Sequence, residues 1–464
     1  MKLAMKTLRS ALVQGGLVIT LIAFSSALAL AQDFSTQKAR TAPQWVRDAV
    51  VYEIFPRNFS TNGTFAAVTT KLDELKTLGV DVLWIMPVHP LGRVKAKGGI
   101  GSPYAVRDFY ALNPDYGTAV DFKQLVAAAH QRGIKVIIDI VANHTAWDSV
   151  MMTNKLFYKR DAAGNVIPPN PDWSDVAGLD YTNPELRRYM IAMLKFWLRE
   201  FDLDGFRCDV AGEVPTSFWE EARVELEAAK PGIFMLAEAS KPELLLKAFD
   251  ADYAWPMLGA LGRVFMDGAP ATDFQKTWEG SIKTFPQGSL HLRFTDNHDE
   301  ARAISRFGWK AALGASAMMF MLDGVPLLYN GMEVGDTTES GAPALFEKLP
   351  VFWQPKQREH FRGVYQQLSQ LRRQHAALRN DRVIWLKNSD ANNLVTVMRL
   401  DGKDEFVFVL NCSNRPVVGS VDVMNSGEFK PVTPGVSPQD QPKGFPLFAL
   451  GPFDWRIYHR TVGR

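Results

Sequence analysis

Cysteine is nearly missing from this chain: Cys208 and Cys412 are the only two in 464 residues. That excludes a disulfide-stapled scaffold. The two lie in different predicted elements, far apart in sequence, so two buried free thiols are expected instead of a bridge. Blocks of like charge are missing as well. The 52 Lys and Arg are scattered among 50 Asp and Glu with no basic tail, so no nucleic-acid partner is expected. No repeat or low-complexity array appears, although 430–446 is a Pro-rich loop.

Long apolar runs are also missing, with one exception at the N-terminus. Lys2, Lys6 and Arg9 precede "GGLVITLIAFSSALALA", which is interrupted by Ser25 and Ser26 and ends in Ala29-Leu30-Ala31. This pattern predicts a signal peptide over 1–31, cleaved after Ala31, and a secreted or periplasmic protein with no membrane association once the signal is removed. No Cys follows the run, so lipidation is not expected. Removing three cations turns the formal net charge of +2 into about −1. The remaining chain, about 430 residues, is long enough to bury a large core without staples.

What is present is alternation. Short apolar runs at 51–59, 81–88, 135–144, 205–211, 233–239, 251–257, 291–299 and 325–331 are separated by helix patterns. "NPELRRYMIAMLKFWLREF" opens with Asn183 as N-cap and Pro184 at the first helical position, and "SFWEEARVELEAA" offers Ser217 and Glu220 as a capping box. Eight strand–helix units predict an α/β fold, a (β/α)8 barrel over 44–381. The segment 145–181 carries neither period and reads as an insertion after the third strand. From 382 to 464 the pattern changes to alternating strands split by Gly, Asn, Asp and Pro, which predicts a C-terminal antiparallel β-sandwich domain.

The stretch "GFRCDVAGEV" (205–214) places two charges in a strand of core-like apolar density. Residues i and i+2 share a strand face, so Arg207 and Asp209 point together while Phe206 and Cys208 point away. A buried ion pair is weak evidence of a purely structural role, because desolvation offsets much of its Coulombic gain. In a barrel the chemistry sits at the C-terminal strand ends. There the third strand brings Asp139, the fourth Arg207 and Asp209, the fifth Glu238, and the seventh Asp296, His298 and Asp299. Singly, each reads equally well as a loop anchor or a solvated turn. Together they form a cluster of mutually repelling carboxylates, which a fold does not assemble for stability. Such a cluster suits glycoside cleavage: one ionised carboxylate attacks the anomeric carbon while a protonated one serves the leaving oxygen.

"DIVANH", "GFRCDVAGEV", "MLAEAS" and "FTDNHDE", in this order, resemble the four short motifs of the α-amylase family of glycoside hydrolases. "GSPYAVRDFYALNPDYGT" and "GVPLLYNGMEVG" resemble its accessory motifs. The resemblance covers about residue 48 to the C-terminus. It implies Asp209 as nucleophile, Glu238 as general acid/base and Asp299 as the carboxylate that grips sugar hydroxyls. It further implies that Arg207, His144 and His298 hold the sugar at the cleavage site, that Tyr104 stacks on it, and that 145–181 is the family's domain B. The implied function is retaining hydrolysis of α-1,4-linked glucans or maltodextrins. A maltogenic, cyclomaltodextrinase-type or transglycosylating enzyme is the alternative within the family, and an inactive sugar-binding barrel the alternative outside enzymes.

"DVAGEVP" is closer to the neopullulanase and cyclomaltodextrinase pattern than to that of many secreted α-amylases, which have Lys-His where this chain has Gly212-Glu213. In calcium-dependent relatives the His of that pair and an Asn matching Asn143 are ligands. Asn143 is therefore the one candidate metal residue here, with Asp172, Asp175 and Asp180 as possible helpers, and calcium is not expected to be essential. No organic cofactor is implied, and nothing in the sequence sets an oligomeric state. Trp84, Tyr104, Tyr110, Trp173 and Trp255 are placed to meet sugar faces, although most aromatics of a barrel are core.

Overall fold

A computed structural model describes residues 33–462. The expected signal peptide lies outside the described residues. All eight predicted strands form: β1 (Val51–Ile54), β2 (Val82–Ile85), β3 (Lys135–Ile140), β4 (Gly205–Cys208), β5 (Phe234–Ala237), β6 (Ala251–Tyr253), β7 (His291–Arg293) and β8 (Val325–Tyr329). Each pairs in parallel with its neighbours, and β8 returns to β1 through Val51–Leu327 and Glu53–Tyr329, which closes the barrel. Burial on both faces explains why these strands read as continuous apolar runs instead of alternating ones.

Gly205, which opens β4, has φ +148, and a Cβ there would sit 1.9 Å from the Phe234 carbonyl oxygen. Only glycine lets β4 and β5 meet at this point. The helix Pro184–Glu200 starts as its sequence predicts: Asn183 accepts from the amides of Glu185 and Leu186. The next helix does not. It spans Thr216–Ala229 with Pro215 at the N-cap and no side-chain cap. Ser217 therefore lies inside the first turn, where its carbonyl accepts from Arg187, and Glu220 pairs with Lys247 instead of reaching back. The fixed φ of proline pre-orders this helix start, so the capping box is not needed.

After β3 the chain leaves the barrel through a two-stranded antiparallel ribbon, His144–Ala146 against Val176–Gly178. The Asn143 carbonyl accepts from the Leu179 amide at 3.0 Å and anchors the base of this insertion. The C-terminal region is antiparallel throughout. A five-stranded sheet orders 383–385, 394–401, 404–411, 455–461 and 430–431, and a separate pair joins 417–420 to 447–450. Along 404–411 the faces alternate: Phe406, Phe408 and Leu410 enter the barrel core, while Val407 and Val409 pack with Val417, Phe448 and Leu450 of the smaller sheet. Both cysteines are buried and free.

Candidate active site

Arg207 is the hub of the strand-end cluster. Its Nη1 donates to both carboxylate oxygens of Asp139 at 2.9 and 2.8 Å and to Asp209 Oδ1 at 3.1 Å. Its Nη2 forms an ion pair with Glu238 Oε2 at 2.9 Å, and its Nε donates to the Tyr253 hydroxyl at 3.1 Å. The guanidinium lies 5.0 Å from the centre of the Trp84 ring. Arg207 and Asp209 thus meet on one face, as the i, i+2 spacing predicts, while Phe206 and Cys208 are buried on the other.

Immediately after Asp209, Val210 adopts φ +35, a left-handed conformation that is costly for a β-branched residue. The turn aims the Val210 amide at Glu238 Oε2, 2.7 Å away. One strained residue thereby ties the β4 carboxylate to the β5 carboxylate.

A second network comes from the opposite wall. His298 Nδ1 donates to Glu53, and Nε2 lies 3.1 Å from Asp299 Oδ2 and 2.6 Å from the Tyr104 hydroxyl. With both ring nitrogens donating, the Tyr104 hydroxyl is left to donate to Asp139 Oδ2 at 3.1 Å. The Tyr104 ring stacks on His298 with centroids 5.5 Å apart. Glu53 sits on β1 and escaped the sequence reading.

The electrostatics follow from burial and from two cations among five carboxylates. Burial, then the charge of Glu238, pushes Asp209 well above the usual carboxylate range against the pull of Arg207. Burial likewise lifts Asp139 to about 6 and raises Glu53, with Arg207 and His298 respectively opposing. Burial works against charge on His298, yet Asp299 and Glu53 outweigh it and hold the imidazolium well above its ordinary value. Burial would raise Asp299 too, but His298 and then Arg207 bring it below its ordinary value. Asp209 and Glu238 flank one guanidinium.

Exposure separates floor from rim. The Asp139 and Glu53 side chains are sealed at 0%, whereas Asp209, Glu238 and Asp299 keep 10%, 15% and 34% of their side-chain surface open. These three are the ones to which the family resemblance assigns the catalytic roles. Size alone would not have found them: a groove of about 820 Å³ lies between the helices 184–200 and 216–229 and contains none of the cluster.

The sequence model of the alpha-amylase catalytic domain matches residues 34–163, 171–245 and 262–404. The chain belongs to the α-amylase family. It is 33% identical over 309 residues to the alpha-amylase MalA of Haloarcula japonica, covering 63% of this chain and 45% of that one. Against a cyclomaltodextrinase of Geobacillus thermopakistaniensis it is 27% identical over 423 residues, covering 80% and 70%. The fold superposes on the crystal structure of an alpha-amylase from Lactobacillus plantarum with a TM-score of 0.80 and 29% identity, over 90% of this chain and 100% of that one.

Not every residue read from the sequence joins the α-amylase-family site. Asp296 turns away and accepts from the Ala303 amide at 2.8 Å, which anchors the following helix. His144, by contrast, stays beside the site: it lies against the Tyr104 backbone with its ring 5.6 Å from Trp173, and burial lowers its pKa to about 4 against the influence of Asp175 and that contact. Trp84 is fully buried beneath Arg207, and Trp255 stacks on Tyr253. Tyr110 packs on Tyr189 and Phe196 of the helix 184–200, so its aromatic neighbours are protein.

Two of the carboxylates considered for calcium have partners of their own. Asp175 pairs with Lys97 at 3.2 Å, and Asp180 accepts from the amide and hydroxyl of Thr182 in its own turn. The Asn143 side chain faces His144 Nδ1 at 3.4 Å.

Proposed function

We propose that this protein is a retaining glycoside hydrolase of α-1,4-linked glucans or maltodextrins. The observation that supports it best is the triad of carboxylates, Asp209, Glu238 and Asp299, opening to solvent around Arg207 and His298 above a sealed floor. In this reading Asp209 attacks the anomeric carbon in its carboxylate form, which Arg207 favours against burial and the charge of Glu238, as the glycosidic C–O bond breaks, and Glu238 gives its proton to the leaving oxygen. Water then loses a proton to Glu238, attacks the same carbon and releases Asp209 with the α-configuration retained. Asp299 accepts hydrogen bonds from ring hydroxyls, and Tyr104 offers its ring as a stacking face. Proton NMR of the first-formed product tests the stereochemistry, and initial release of the β-anomer overturns it.

A cyclomaltodextrinase-like or transglycosylating action is the second reading, favoured by the "VAGEV" stretch and by the similarity to a cyclomaltodextrinase across 80% of this chain. Both readings use the same residues, because the covalent intermediate can pass to a sugar hydroxyl instead of water. Product analysis on maltoheptaose, starch, pullulan and cyclodextrin separates them: faster turnover of cyclodextrin than starch favours the second, and products longer than the substrate reveal transfer. An inactive sugar-binding barrel is disfavoured because all three carboxylates are intact.

Two further readings belong to the proposal. Calcium is not essential, which the pairing of Asp175 with Lys97 and the turn built on Asp180 support. The protein is exported, which the pattern of residues 1–31 supports and N-terminal sequencing of the mature chain, beginning at Gln32, would test.

A further inference from the structure

His375, Asp404 and His459 come together far from the carboxylates at the strand ends. His375 follows the helix Arg358–Gln374, the last of the barrel, while Asp404 and His459 lie on adjacent strands of the five-stranded sheet. In that sheet His459 stands opposite Phe406, which places it diagonal to Asp404. Its Nε2 is 2.6 Å from Asp404 Oδ1, and His375 Nδ1 is 2.6 Å from Asp404 Oδ2. One ligand atom from each of the three residues lies within 4.8 Å of the others. Phe406 fixes both imidazoles, stacking on His459 with centroids at 4.4 Å and meeting His375 edge-on at 4.8 Å.

We propose that this trio is a binding site for a divalent transition cation of the zinc class, clamping the barrel to the C-terminal sheet. Two imidazole nitrogens and one carboxylate oxygen are the donor set such ions prefer, whereas calcium and magnesium take oxygen shells. The side chains are 21%, 26% and 22% exposed, which leaves an entry path and a fourth position for water. An ion seated between them would part the carboxylate from the two imidazoles, which now meet it at 2.6 Å each. The donors come from a helix end and two strands, so the site is anchored on regular elements.

The site lies at the barrel end opposite the catalytic carboxylates. In the helix that precedes His375, Arg372 donates to the carbonyls of Arg47, Ala49 and Gly324, which lie just before β1 and β8. The cation would therefore brace the domain junction and leave the chemistry alone.

The test uses the full chain, stripped with chelator and titrated with zinc chloride by calorimetry. We expect one ion per chain and, at about a hundredfold excess over Kd, a rise of about 3 °C in Tm. His459→Gln and Asp404→Asn should each weaken binding by at least about tenfold and remove the rise in Tm, while turnover of maltodextrin stays at the wild-type level. Because a variant could misfold, cobalt chloride added to the wild-type chain gives an independent reading: visible d–d absorption of a tetrahedral ion that saturates at one equivalent and is competed away by zinc. Either no response of the wild-type Tm and no cobalt spectrum, or wild-type zinc affinity in both folded variants, would overturn the proposal.

Discussion

His298 donates through Nδ1 to Glu53, a fully buried carboxylate on β1 beneath the catalytic cluster. The pair keeps the imidazolium charged, and that charge holds Asp299 ionised and fixes the Tyr104 hydroxyl. Because the folded pKa of His298 is raised, its contribution is complete below the unfolded histidine value of about 6.5 and is lost only as pH climbs through the folded value. Glu53→Gln lowers that folded value. The alkaline limb of the kcat/KM profile should move to lower pH, and kcat/KM at neutral pH should fall by about tenfold, equivalent to roughly 1.4 kcal/mol. An unchanged alkaline limb would show that Glu53 only fills space.

Asp209→Asn should remove turnover by at least about three orders of magnitude, since an amide cannot form the glycosyl ester. Its melting temperature should equal or exceed that of the wild type, because burial and the neighbouring carboxylates already disfavour the charge it removes. Glu238→Gln should be equally slow on natural glucans but give a burst with an activated aryl glycoside, whose leaving group needs no proton. Full turnover by Asp209→Asn would reject the assigned role.

Arg207→Met removes the cation shared by Asp139, Asp209 and Glu238. Breaking a sealed ion pair by deleting one partner leaves a buried charge uncompensated, a cost of about 3–5 kcal/mol. Urea unfolding should show that loss at neutral pH. It should shrink as pH falls, because protonating Asp139 removes the orphaned charge. A loss independent of pH would locate the effect in packing against Trp84.

Calcium chloride added to the chelator-stripped protein should move the melting temperature by no more than about 1 °C and leave the rate unchanged. Lys97 already pairs with Asp175 at 3.2 Å. A large calcium-dependent rise in both would mean that Lys97 yields Asp175 to an ion.

The barrel was legible because strands buried on both faces leave continuous apolar runs, and helix patterns separate them. The carboxylates of the strand-end cluster were legible because they break those runs at the ends, as Asp209 and Glu238 do. Glu53 breaks a run as well, but in its middle. A lone acid inside "VVYEIF" carries no sign of His298, beyond the end of β7, which pairs with it, since that partner is remote in sequence. Asp296 was misplaced for the converse reason. Its neighbours in "TDNHDE" point into the cleft, and only the turn built on Asn297, which accepts from the amides of Asp299 and Glu300, decides which acid faces inward. The cap at Ser217 failed because a proline two residues earlier had already set the helix start.

The strand 404–411 has no side that faces water over most of its length, since one row of its side chains belongs to the barrel core and the other to the smaller sheet. An engineer who grafts this barrel onto a foreign C-terminal module by cutting near 382 would strip Phe406, Phe408, Leu410 and Ile457 from a shared interior. The workable seam for chimaeras runs through that interior, so a graft succeeds only when the donor module brings matching side chains at those four positions.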